Sequence, residues 1–377
     1  MKNFINKIQY QKIIYTIIIT SSILLISWGR EGHEKISRNS TLSFPSSMDF
    51  LVVWADSLAK HGSDADSRKS IDTNESPKHY IDIDNYEEFN LNGKISQNYD
   101  SIIAKHGYKF VIENGTLPWA TRASYDSLVS CFKRKNWHKA MLFASDLGHY
   151  VGDGYMPLHL TENYNGQSTG QKGIHSRYES HMINSFISEI NYKGGNVSYI
   201  KDVDKYIFKY IYTNHKYKDS VLQAEVYART ISGGKIKSNE YTDALWEKTK
   251  KFTVRLFKKA SISMAELIYT AWVQAGSPKS NDVLLNYIYE KNSNIFNIYT
   301  NIVESNILIK YHINKDNSNV LLNIFDVKGN KAGNILNEIK TKGIYNTKYT
   351  NNKLNKGVYY CVLKENNQTT LNKIILF

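Results

Sequence analysis

The chain has 377 residues, 41% of them hydrophobic, and a formal net charge of +13. That length leaves room for two domains and a large core. The basic balance suits an anionic partner such as phospholipid or nucleic acid, although lysines scattered along the whole chain serve a solvated surface equally well. Two cysteines, Cys131 and Cys361, exclude a disulfide framework and a thiolate metal centre, so a metal here must be held by imidazole, carboxylate and backbone groups.

In chain order, residues 1–27 read as an export signal. MKNFINKIQYQK is a positive n-region, IIYTIIITSSILLIS an apolar run too short and isolated for a stable membrane span, and Ser27 a small last residue before cleavage. The mature chain then begins at Trp28. From there to Gly276 the pattern is helical. TRASYDSLVSCFKRKNWHKAMLFASDLGHYVGD and LWEKTKKFTVRLFKKASISMAELIYTAWVQAG carry apolar residues at three- and four-residue steps, and the second stops at Gly276 with Pro278 beyond. Residues 277–295 read as a linker. After them come short alternating runs rich in Asn, Ile, Tyr and Thr, separated by KGN, TKG and NKG turns, the pattern of an antiparallel β-sandwich over 296–377. The expected fold is thus an all-α domain followed by a small all-β domain.

Chemistry concentrates in the helical region. In HYVGDGYMPLH, His149 and Asp153 are four residues apart and share a helix face, while Pro157 ends or kinks the helix and turns His159 elsewhere. WGREGH places His33 five residues after Trp28. DADSRK offers Asp66, HYIDID offers His79, and GIHSRYE offers His175 and Glu179, again four apart. Histidine and carboxylate are what Zn²⁺ accepts when sulfur is missing. A freed α-amino group, with a pKa near 7.7–8, binds metal as well. One such histidine is ordinarily a core or surface residue. The whole set together points to a multinuclear zinc site.

In the order and spacing of these motifs, residues 28–275 resemble the zinc-dependent phospholipase C and S1/P1 nuclease superfamily. The resemblance implies three zinc ions. Asp66, His79, His149 and Asp153 hold the first, and His159, His175 and Glu179 the second. The Trp28 amine and carbonyl, His33 and a bridging Asp153 hold the third. Asp66 is preferred as the aspartate ligand because it lies 13 residues before His79, although Asp64 and Asp56, the latter in a WAD motif, compete for that place. The C-terminal region, with NIFDVKGN, KGIYNTKY and NKGVYYCVL, resembles the sorting domain of proteins exported by the type IX secretion system of Bacteroidetes. A carbohydrate-binding or adhesive sandwich is its alternative. A secreted or cell-surface location follows, with the secretion machinery as partner and no obligate protein partner besides.

The resemblance implies phosphodiester hydrolysis, with Asp66 taking a proton from the attacking water. Phospholipase C is the first reading: Glu31 stands where these enzymes place a carboxylate facing the lipid head, and the second site ends in Glu179. Single-strand nuclease is the second, since the short Trp28 to His33 spacing is the nuclease one and Asp82 matches a residue that reads a base edge. Arg68 or Lys69 is expected at the phosphate, or else as a solvated charge. A zinc-stabilised binding protein without activity is the third reading.

Overall fold

Periodic apolar residues build the helical region from successive amphipathic segments. The computed structural model describes residues 29–279 and 298–376, except 304–305, 327–329, 351–353 and 367. The export segment, Trp28 and most of the expected linker lie outside the described residues. Two compact units divide between Ser280 and Asn281.

The first unit holds thirteen described α-helices: α1 (Gly29–Ser40), α2 (Ala55–Lys60), α3 (Asp64–Arg68), α4 (Glu87–Asn92), α5 (Tyr99–His106), α6 (Tyr108–Glu113), α7 (Leu117–Lys133), α8 (Trp137–Gly154), α9 (Ile174–Ser176), α10 (Ile183–Phe186), α11 (Val203–His215), α12 (Tyr217–Ile231) and α13 (Asn239–Gln274). The long helical stretch expected around residues 121–153 is two helices. Lys135 takes a left-handed φ of 53°, and the Asn136 side chain then caps α8 by accepting from the Lys139 amide. Pro157 is not what ends α8. The helix stops at Gly154, and Met156, next to the proline, is extended, as the residue before a proline prefers. The 36-residue α13 runs to the stop foreseen there, with Gly276 at a φ of 88°.

Helix α13 packs on α1, α7, α8 and α12. Its buried Leu256, Met264, Leu267 and Ile268 share the core with Ile36, Leu58, Leu128, Phe132, Leu147 and Val151. Trp54 stacks on Phe132 with parallel rings 6.1 Å apart. No helix among the described residues is long and apolar enough to cross a membrane.

The described residues of the second unit form seven strands: β1 (Ile298–Val303), β2 (Asn306–Ile313), β3 (Ser318–Asp326), β4 (Lys331–Lys340), β5 (Gly343–Thr350), β6 (Gly357–Glu365) and β7 (Gln368–Leu376). They form two antiparallel sheets, ordered β1-β2-β5 and β4-β3-β6-β7. One core joins the sheets. Every second residue of β2 (Ile307, Ile309, Tyr311, Ile313) meets Val320, Leu322 and Ile324 of β3 and Cys361 and Leu363 of β6. Glu365, buried at the end of β6, accepts from the Asn314 and Lys315 amides and from Ser318 Oγ, which fixes the β2–β3 turn.

Candidate metal centre

Six local structures deliver the described ligands; α3 carries Asp66 and the short turn Pro157–His159 carries His159. Helix α1 turns its buried face, with Gly32, His33, Ile36 and Ser37, towards α8. The fit is close: a Cβ on Gly152 of α8 would stand 2.9 Å from the His33 ring. The last two turns of α8 are wholly buried and carry His149 and Asp153 one above the other. A short turn, Ser76–His79, opened by Pro77, presents His79. After α9 the chain widens into a π-helical turn, Arg177–Met182, that carries Glu179 beneath His175. Such turns often mark functional sites, and sequence spacing gives no sign of this one.

These side chains meet as three groups, each with ligand atoms within 4.8 Å of one another: His33, His149 and Asp153; Asp66, His79 and His149; His159, His175 and Glu179. In the middle group His79 Nδ1 is 2.9 Å from His149 Nε2, 3.1 Å from Asp153 Oδ2 and 3.5 Å from Asp66 Oδ1. His149 Nε2 is 3.3 Å from Asp153 Oδ2 and 3.6 Å from Asp66 Oδ1. The other oxygen, Asp153 Oδ1, stands 3.4 Å from His33 Nε2, so one carboxylate faces two groups. Glu179 Oε2 is 2.5 Å from His175 Nε2 and 3.7 Å from His159 Nε2.

Two tests of this chain's own atoms ask whether a metal fits. Donors at zinc's usual bond lengths around one tetrahedral ion stand about 3.3 Å apart, close to most of these separations. Moreover, Asp66 Oδ2, His159 Nε2 and Glu179 Oε1 are buried without a hydrogen bond, a cost that a cation would remove. The outer nitrogens are arranged to suit. His149 Nδ1 donates to Gly62 O (2.8 Å), His159 Nδ1 to His79 O (2.7 Å) and His175 Nδ1 to Tyr164 O (3.2 Å). Each of these rings therefore turns a bare Nε2 lone pair inwards. The residues fit zinc.

Without metal, protons take the place of the cations. Burial opposes charge on His149, but Asp153 and Asp66 overcome it and push its pKa up to about 9. Burial also works against the Glu179 carboxylate, and His175 and His159 bring it down to about 2 nonetheless. The His33 imidazole goes the other way, lowered by burial and by neighbouring His149.

The remaining expected residues separate by position. Asp56 pairs with Arg38 on the surface, and Asp64 pairs with His61 at 2.6 Å; neither is in a group, whereas Asp66 is. Glu31 is exposed on the first turn of α1. Arg68 is turned away from the phosphate role foreseen for it: its guanidinium donates to Asp146 Oδ1 (3.0 Å) and Glu75 Oε1 (3.2 Å). Lys69 does line an open cleft of about 400 Å³, together with His79, His159, His175, Ser76, Tyr80, Asp82, Glu113, Leu158 and Tyr164. Its ammonium reaches Asp66 Oδ1 at 2.7 Å. In that cleft burial, helped by Asp84 and Glu162, pushes the Asp82 carboxyl up to about 7.

No protein-family model matches this chain, and no curated protein matches it. Among solved structures it is similar to the alpha toxin from Clostridium absonum, with 11% identity and a TM-score of 0.43, covering 92% of this chain and 98% of that one. The alpha-toxin of Clostridium perfringens from avian strain SWCP is similar at 10% identity, again with a TM-score of 0.43, covering 92% of this chain and 97% of that one. Both likenesses are slight.

Proposed function

We propose that the chain is a secreted zinc-dependent phosphodiesterase, and specifically a phospholipase C. The observation that carries this is the convergence of three histidine–carboxylate groups, two of which reach one open cleft through His79, His159 and His175. Zinc bound there supplies Lewis acidity and positive charge, the chemistry that phosphate ester cleavage needs. Asp66, His79, His149 and Asp153 hold one ion and His159, His175 and Glu179 a second. His33, Asp153 and Trp28, once processing frees its amine, hold a third.

The chain's own groups supply the rest. Lys69 on the cleft wall meets a phosphoryl oxygen, and Asp66 beside it accepts a proton from the attacking water. Tyr80 and Tyr164 add aromatic faces, Asp82 and Glu113 add carboxylates, and Leu158 adds an apolar wall. Aromatic faces with carboxylates suit the cationic head of a zwitterionic phospholipid. One lysine against two acids suits a nucleic-acid polyanion less well. Nuclease is the second reading, favoured by one observation: a carboxyl raised to about 7 by burial, as that of Asp82 is in the metal-free chain, can donate to a base edge when protonated. Export by residues 1–27 and sorting by residues 296–377 complete the proposal, the latter supported by a β unit with its own core.

The test uses zinc-loaded protein beginning at Trp28, assayed on phosphatidylcholine and phosphatidylethanolamine micelles and on single-stranded DNA and RNA, with Asp153→Asn as control. Diacylglycerol release with intact nucleic acid is expected. Nucleotide release with untouched lipid reverses the order of the two readings. Zinc retained with no turnover of either substrate leaves the non-catalytic reading in its place.

A further inference from the structure

The outer nitrogens of His149, His159 and His175 all end on backbone carbonyls, but His79 differs. Its Nε2 is buried, has no hydrogen-bond partner and faces Glu75 Oε1 at 3.6 Å. Glu75 is itself buried, and three donors hold its carboxylate. Tyr150 OH (2.5 Å) and Arg68 Nη2 (3.2 Å) donate to Oε1, and Lys78 Nζ (2.7 Å) donates to Oε2. Arg68 is anchored in turn by Asp146. A buried carboxylate with three fixed donors has little freedom, and Oε1, the oxygen that Tyr150 and Arg68 hold in place, is the one that faces His79 Nε2.

We infer that Glu75 is the positioning residue of the first metal site: locked by Tyr150, Arg68 and Lys78, its carboxylate takes the Nε2–H of His79 and turns Nδ1 towards Asp66, His149 and Asp153. A carboxylate partner fixes the tautomer and makes the imidazole more basic than a carbonyl partner does. His79 is therefore more strongly polarised than His149, His159 or His175, whose outer nitrogens meet carbonyls. The role also explains Arg68, Lys78 and Tyr150, which no ligand assignment uses: they keep the carboxylate charged and in place. This inference rests on the zinc reading above.

The test compares the full processed chain with Glu75→Gln, which keeps the shape but loses the charge, and with Tyr150→Phe, which removes one of the three donors. Each protein is stripped of metal and titrated with Zn²⁺ against a chromophoric chelator. Co²⁺ loading records the ligand field, and urea unfolding of the metal-free chains records stability. Glu75→Gln is expected to weaken one ion by about 10–100-fold, leave the others unchanged and alter the Co²⁺ spectrum. Tyr150→Phe is expected to weaken the same ion by a smaller factor. Wild-type affinity for every ion in Glu75→Gln overturns the inference, as does an equal loss at all sites that tracks lost metal-free stability. If Glu75→Gln does not fold, Tyr150→Phe carries the same two outcomes. A wild-type chain that takes up no zinc overturns the metal reading itself, an outcome separate from either.

Discussion

At the scale of single residues, Asp82 is a neutral acid waiting to be charged. Its carboxyl is raised from 3.8 to about 7 because burial, Asp84 and Glu162 all disfavour the anion. Between those values the folded chain holds a proton that the unfolded chain has released, so this group makes stability fall as pH rises from about 4 to 7. Metal-free Asp82→Asn is therefore expected to exceed wild type by about 1–3 kcal/mol at pH 8 and to match it below pH 4, read from urea midpoints. Gly152 is decided by space instead. An alanine there presses on the His33 ring, so Gly152→Ala is expected to cost about 1–3 kcal/mol and to weaken the ion shared by His33 and Asp153, read by zinc titration. The ligand spacing was legible locally, since His149 with Asp153 and His175 with Glu179 each occupy one helical face. Glu75 was not, because its donors Arg68 and Tyr150 come from elsewhere in the chain and a buried glutamate looks like any other in sequence. Arg68 misled for the same reason: a guanidinium two residues past Asp66 could face the cleft or turn back, and only the position of Asp146 decides.

At the scale of elements, α8 serves both the core and the site, so its start matters to its end. Asn136 caps it, and Asn136→Ala is expected to cost about 1 kcal/mol in a urea melt while leaving zinc affinity unchanged, because the ligands lie in the last two turns. Apolar periodicity announced α7, α8 and α13 but not the break at Arg134–Asn136, where KRKN is as polar as any exposed helical turn and a left-handed Lys135 ends the run. The π-helical turn under Glu179 was equally silent, since it changes hydrogen-bond register without changing the residue pattern. In the β unit alternation sufficed. Strand β2 buries every second residue, and a register slip would expose all of them.

At the scale of the whole molecule, the described metal groups lie entirely in the first unit and the β core entirely in the second. On the proposed function, zinc would bind only the folded helical unit and would stabilise it by mass action. A chelator is therefore expected to lower one calorimetric transition and leave the other, while a chain ended after Lys279 keeps only the chelator-sensitive one. The cysteines bear on how the molecule meets reductants. Cys131 and Cys361 are both buried and free, and burial raises the Cys361 thiol to about 12, far from reactive. With no crosslink between these two cysteines to break, the fold is indifferent to reductants. If the proposed function holds, the molecule would instead be vulnerable to whatever competes for its metal: a chelator would disarm it where a thiol cannot.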